Sequence, residues 1–220
     1  MSQAPSRPPE AAGGSRRRGA GGRGGDDETS WGLFARDLAS SALAVLLVGG
    51  YLFAVSGVWP PLVAVESKSM VPNMEKNDLV FVMEEHRFAG SGAVDSTGVV
   101  TAEAGQTSGH EMFGKPGDVI VYEPDGNNRT TPIIHRAMLW AEPGEDWVAR
   151  ANESFLAGAD TCEEVRHCPV DEAGFITKGD NNGYYDQVRP NPISRPVRPD
   201  WVVGTAEVRI PGLGWLRLQS

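Results

Sequence analysis

The sequence predicts a mainly β, antiparallel domain preceded by one N-terminal membrane-spanning helix. Three observations carry this expectation. Residues 38–59 run without a charge; short β-branched and aromatic runs, separated by Gly, Pro, Asn and Asp clusters, recur from 62 to 210; and no amphipathic helical period follows Trp59. At 220 residues the chain has room for one folded domain besides a tail and an anchor.

Residues 1–30 are mostly Gly, Pro, Ser, Ala and Arg with a short acidic patch. So little apolar surface cannot offset ordering entropy, and a disordered cytoplasmic tail is expected. The anchor is expected over residues 31–60. Its uncharged run, Leu38 to Trp59, numbers 22 residues, which as a helix span about 33 Å against a hydrocarbon core of roughly 30 Å. A cleaved secretory signal has a core of only about 7–15 residues and a small-x-small exit, which is not evident after Val58. Pro60 and Pro61 donate no amide proton, so the helix must end there. Arg7, Arg16, Arg17, Arg18, Arg23 and Arg36 all precede the run, which by the positive-inside rule leaves the N-terminus in the cytoplasm and the rest outside. The Arg16–Arg18 triplet lies well ahead of the apolar run and has no interleaved aromatics, unlike a twin-arginine signal or a nucleic-acid contact.

Residues 61–220 make the expected extracytoplasmic domain. Beyond Trp59 there are 14 Lys plus Arg against 24 Asp plus Glu, a balance that argues against nucleic acid as a partner. Only four of the 20 basic residues are lysine, and carboxylate excess with scarce lysine suits a surface kept soluble in high salt. Strands are expected at 62–67, 78–83, 117–124, 132–141, 146–152, 174–179 and 201–210. Residues 86–115 are Gly/Ser/Thr-rich and are expected as a long loop insert with one short strand at GVVTAE, His86 and His110 being solvated. The terminal RIPGLGWLRLQS is too short and too charged for a second span, so the protein is expected to be single-pass. Cys162 and Cys168 would form a small-loop disulfide in an oxidising exterior. With His167 between them they lack the paired CxxC spacing of a zinc site.

Three short stretches carry residues suited to catalysis. In SKSMVP (67–72), read as extended, Ser67 and Ser69 face one side and Lys68 the other. Acyl transfer needs an activated hydroxyl and donors for the oxyanion: Ser69 could attack while Ser67 and backbone amides, that of Ser69 included, donate. Ten residues separate Trp59 from Ser69, so the hydroxyl can lie no more than roughly 35 Å from the membrane face. PIIHRA (132–137) supplies His135, an imidazole suited to general-base work near neutral pH, with Arg136 facing away. TKGDNNGYYDQ (177–187) supplies Asp180 and Asp186, either of which could accept a proton from His135 Nδ1 and hold its tautomer. A calcium loop beginning at Asp180 is excluded by Tyr185, where that pattern needs glycine.

Each stretch alone has an ordinary reading, as a turn before Pro72, a packed strand histidine, or a polar turn. Together and in this order, anchor, SKSMVP, GDVIVYEP, PIIHRA and ITKGDNN resemble type I signal peptidase, in its archaeal and endoplasmic-reticulum branch, over roughly residues 38–210. The resemblance implies a membrane-anchored serine endopeptidase with an antiparallel signal-peptidase-like β domain. It implies Ser69 as nucleophile, His135 where the bacterial branch has lysine, and Asp180 and Asp186 as acidic residues. The implied substrates are exported preproteins, cut after small residues at −1 and −3. Membrane lipid and the export translocon would be neighbours, and no metal or organic cofactor is implied. The 86–115 insert departs from the family pattern. Two other readings compete with it. A self-cleaving repressor-type protease calls for a DNA-binding N-terminus and a lysine base, neither of which is evident here, and a non-enzymatic β module would make SKSMVP a plain turn.

Overall fold

The computed structural model describes residues 26–188 and 191–215. The expected tail up to residue 25 lies outside them. The chain divides into two units, Met1–Leu47 and Val48–Ser220. Helix α1 (Asp26–Ser56) contains Trp31–Ser56, long and apolar enough to cross a membrane. It opens earlier than residue 31, at Asp26, so the helix takes in residues expected to belong to the tail. It closes before Trp59 because Gly57 turns to φ 79° and sends its N–H to Phe53 O at 2.8 Å.

The second unit holds a six-stranded antiparallel sheet in the order β1-β2-β8-β5-β6-β7. Its strands are β1 (Leu62–Ala64), β2 (Leu79–Met83), β5 (Val119–Tyr122), β6 (Ile133–Ala141), β7 (Gly174–Lys178) and β8 (Val202–Ile210). A two-stranded ribbon, β3 (Glu111–Met112) with β4 (Lys115–Pro116), stands apart. In β5 every residue is buried because alternate side chains feed different cores. Val119 and Val121 join Val80, Val82 and Met70, whereas Ile120 and Tyr122 join Phe175, Val197 and Trp201. Register places His135 of β6 opposite Ile120, and Arg136 opposite both Val119 and Lys178.

Two expectations about elements are corrected. Residues 146–152 form no strand. Trp147 and Val148 are buried in succession rather than alternately, a 3₁₀ turn follows at Val148–Arg150, and Asn152 caps Ser154. The insert is not a plain loop. Val99 and Val100 are buried, the Thr101 hydroxyl accepts from Ala104 N, and α2 (Ala102–Ser108) follows before the ribbon. Thr101 thus begins a helix where a strand was expected. Within this segment His110 is no solvated side chain, since its Nε2 lies 2.6 Å from Asp118 Oδ1; His86 is half exposed. Cys162 and Cys168 are joined as a disulfide, closing a loop whose Val165 packs into a third core with Trp147, Ile176 and Tyr185.

Candidate active site

Ser69 sits in a turn that follows β1, not in an extended segment. Met70 and Met74 are both buried, and Met74 N bonds Met70 O at 2.9 Å, so the backbone folds back on itself as the two thioethers enter the core. Ser67 and Ser69 nevertheless meet, with their hydroxyl oxygens 2.9 Å apart. Lys68 is exposed, and its carbonyl accepts from Asn181 Nδ2 at 3.2 Å.

His135 is buried, and its Nδ1 lies 2.6 Å from Asp186 Oδ2. Asp186 is wholly enclosed; the same oxygen accepts from the Thr177 hydroxyl at 2.8 Å and from Tyr122 OH at 3.2 Å. Burial, reinforced by the Asp186 charge, pushes the Tyr122 phenol well above its ordinary 10, so it stays a proton donor to the carboxylate. Among the described residues Asp186 Oδ1 is buried with no hydrogen-bond partner, and the donors gather on the oxygen that faces the imidazole. The bond at Nδ1 leaves Nε2 as the nitrogen open to a partner in the cleft.

A cleft of about 690 Å³ is lined by Ser67, Ser69, His135 and Asn182 among largely apolar neighbours such as Val63 and Ile133. Ser69 and His135, 66 positions apart in the chain, thereby face one space. Among the described residues the Ser69 hydroxyl bonds Ser67 rather than His135.

Asp180 does not touch His135. Arg136 Nε and Nη2 bond its Oδ1 and Oδ2, each at 2.9 Å; Asn73 Nδ2 adds a bond at 2.7 Å, and Lys115 Nζ lies 3.8 Å away. Burial alone would raise this carboxyl, but Arg136, Asn73 and Lys115 together hold it below the ordinary carboxylate range. The choice left open by the sequence is settled as to contact: Asp186 meets the imidazole and Asp180 meets Arg136. Lys178 is buried opposite Arg136, and burial together with the Lys115 charge pushes its ammonium below the usual lysine range.

The 179–182 turn also grips the serine loop. Asn181 N donates to Ser69 O at 2.7 Å, and a Cβ at Gly179 would stand 2.7 Å from that same carbonyl, too close for any side chain. Sequence reasoning missed Asn73, Asn181, Thr177, Tyr122 and Arg136. A signal existed for the last, since an arginine inside the apolar run IIHRAMLWA can be buried only with an anionic partner.

No protein-family model matches this chain, and no curated protein does either.

Proposed function

We propose that the protein is a membrane-anchored serine endopeptidase of the type I signal peptidase kind, with an extracytoplasmic catalytic domain and a cytoplasmic N-terminus. The observation that carries the reading is a serine and a histidine lining one cleft, with the histidine held at 2.6 Å by a wholly buried aspartate. In the proposed step the Ser69 hydroxyl turns from Ser67 toward His135 and gives its proton to Nε2 as Oγ attacks the scissile carbonyl. Asp186 stabilises the imidazolium. The Ser67 hydroxyl and the Ser69 N–H donate to the oxyanion. As the carbon–nitrogen bond breaks, the imidazolium proton passes to the leaving amine; water, deprotonated by the same base, then releases the acyl group.

Asp180, carried by resemblance as a catalytic residue, has in this reading no proton to handle, because Arg136 occupies both of its oxygens. The apolar cleft suits an extended chain with small side chains next to the cut. Helix α1 would keep the enzyme on the surface that carries its preprotein substrates, raising their effective concentration. Beside Asp146 the disulfide ties up both thiols, so that grouping offers no thiolate ligand. The test is cleavage of an exported preprotein in membranes carrying the wild-type chain or Ser69→Ala. Loss of processing in the variant is expected; processing that survives the substitution would overturn the reading.

A further inference from the structure

Arg136 is only 2% exposed and follows His135 directly on β6. Its guanidinium spends every nitrogen. Nη1 donates to the carbonyls of Met112, Lys115, Pro116 and Gly117 at 3.0, 3.2, 3.3 and 2.6 Å, all in or beside the β3–β4 ribbon. Nε and Nη2 clasp Asp180. Asp180 holds Asn73 of the serine loop, and its backbone N–H meets Met70 Sδ at 3.3 Å, while the next residue takes the carbonyls of Ser69 and Lys68. One forked cation therefore ties three segments together: the strand that bears the base, the turn that grips the nucleophile, and the ribbon of the insert.

We infer that Arg136 is a positioning residue that sets Ser69 against His135, with the ribbon carbonyls as its buttress. The inference rests on the proposed protease reading. A bidentate clasp on a carboxylate, with one nitrogen left over for the ribbon, needs the planar fork of arginine; an ammonium cannot reproduce it. Because a displacement of about 1 Å at reacting groups can cost about 10²-fold in rate, slack in this ion pair would appear at the serine. The effect belongs in kcat, since Arg136 lines none of the cleft where substrate would lie.

The experiment compares full-length wild type and Arg136→Lys in lipid vesicles, assayed well below the melting temperature of each. Its readouts are kcat and KM on a signal-bearing preprotein and the rate at which a fluorophosphonate labels Ser69. The expected result is kcat and labelling lower by about 10²-fold, with KM within about threefold. A folded Arg136→Lys that keeps wild-type kcat and labelling, or one that changes KM alone, overturns the proposal and leaves Arg136 a stabilising residue only. If Arg136→Lys does not fold, Asn73→Ala decides through the same readouts. It cuts the side-chain link from Asp180 to the serine loop at a half-buried site, and a fall in kcat of about tenfold supports positioning, whereas unchanged kcat overturns it. A wild type without Ser69-dependent cleavage would instead sink the protease reading itself.

Discussion

Asp180 and Asp186 lie in one turn-rich segment and have the same chemistry, yet their surroundings divide the work. Asp186 has the imidazole and two hydroxyls on one oxygen, while Asp180 is wrapped by Arg136, Asn73 and Lys115. Asp186→Asn should leave the fold nearly intact but present an amide N–H or a poorer acceptor to Nδ1. Processing rates should then fall by about 10²- to 10⁴-fold, as measured by single-turnover cleavage, with little change in melting temperature. Asp180→Asn should behave in the opposite way. Its carboxyl titrates below its ordinary value of 3.8 when folded, so its contribution to stability is complete above 3.8 and is lost as pH falls through the lower folded value. Breaking a buried pair costs about 3–5 kcal/mol. Melts at neutral pH should therefore place Asp180→Asn well below wild type, and the gap should close on acidification below 3.8; a gap that widens there would contradict the assignment.

Among elements, the disulfide loop and the insert show how local chemistry shapes a region without entering the cleft. The bond between Cys162 and Cys168 closes a loop of sequence separation 6 over the core around Trp147 and Ile176, while the cleft is lined by none of these residues. Loop entropy assigns it roughly 2 kcal/mol. Replacing both cysteines with serine should lower the melting temperature by about 4–8 °C for that energy, while cleavage per folded molecule stays the same. Loss of activity at temperatures where the variant is folded would show that the loop reaches the cleft. The insert contributes differently. Thr101 caps α2, His110 pins Asp118, and the ribbon carbonyls meet Arg136, so a stretch that looks like padding in composition is tied into the support of the serine loop.

The whole molecule carries a formal charge of −9, with its carboxylates concentrated beyond Trp59. Self-repulsion of that surface weakens as salt rises, since the Debye length shrinks from about 10 Å at 0.1 M to about 3 Å at 1 M. Thermal melts should therefore rise with KCl across that range. A flat or falling curve would show that the acidic surface is not an adaptation to salt.

The apolar helix, most strands and the disulfide could be read from the sequence because each follows from local pattern: an uncharged run, β-branched clusters between turn residues, and two cysteines near each other in the chain. Ser69, His135, Asp180 and Asp186 are singled out by resemblance, from residue type and order, and the structure brings Ser69 and His135 to one cleft. The pairing of Asp186 with His135, the diversion of Asp180 to Arg136, and the helix within the insert were decided only by the tertiary structure. The reason is physical. Which carboxylate meets the imidazole depends on strand register and on the burial of a cation across the sheet, and those interactions join residues 44 to 51 positions apart, beyond the reach of any local pattern.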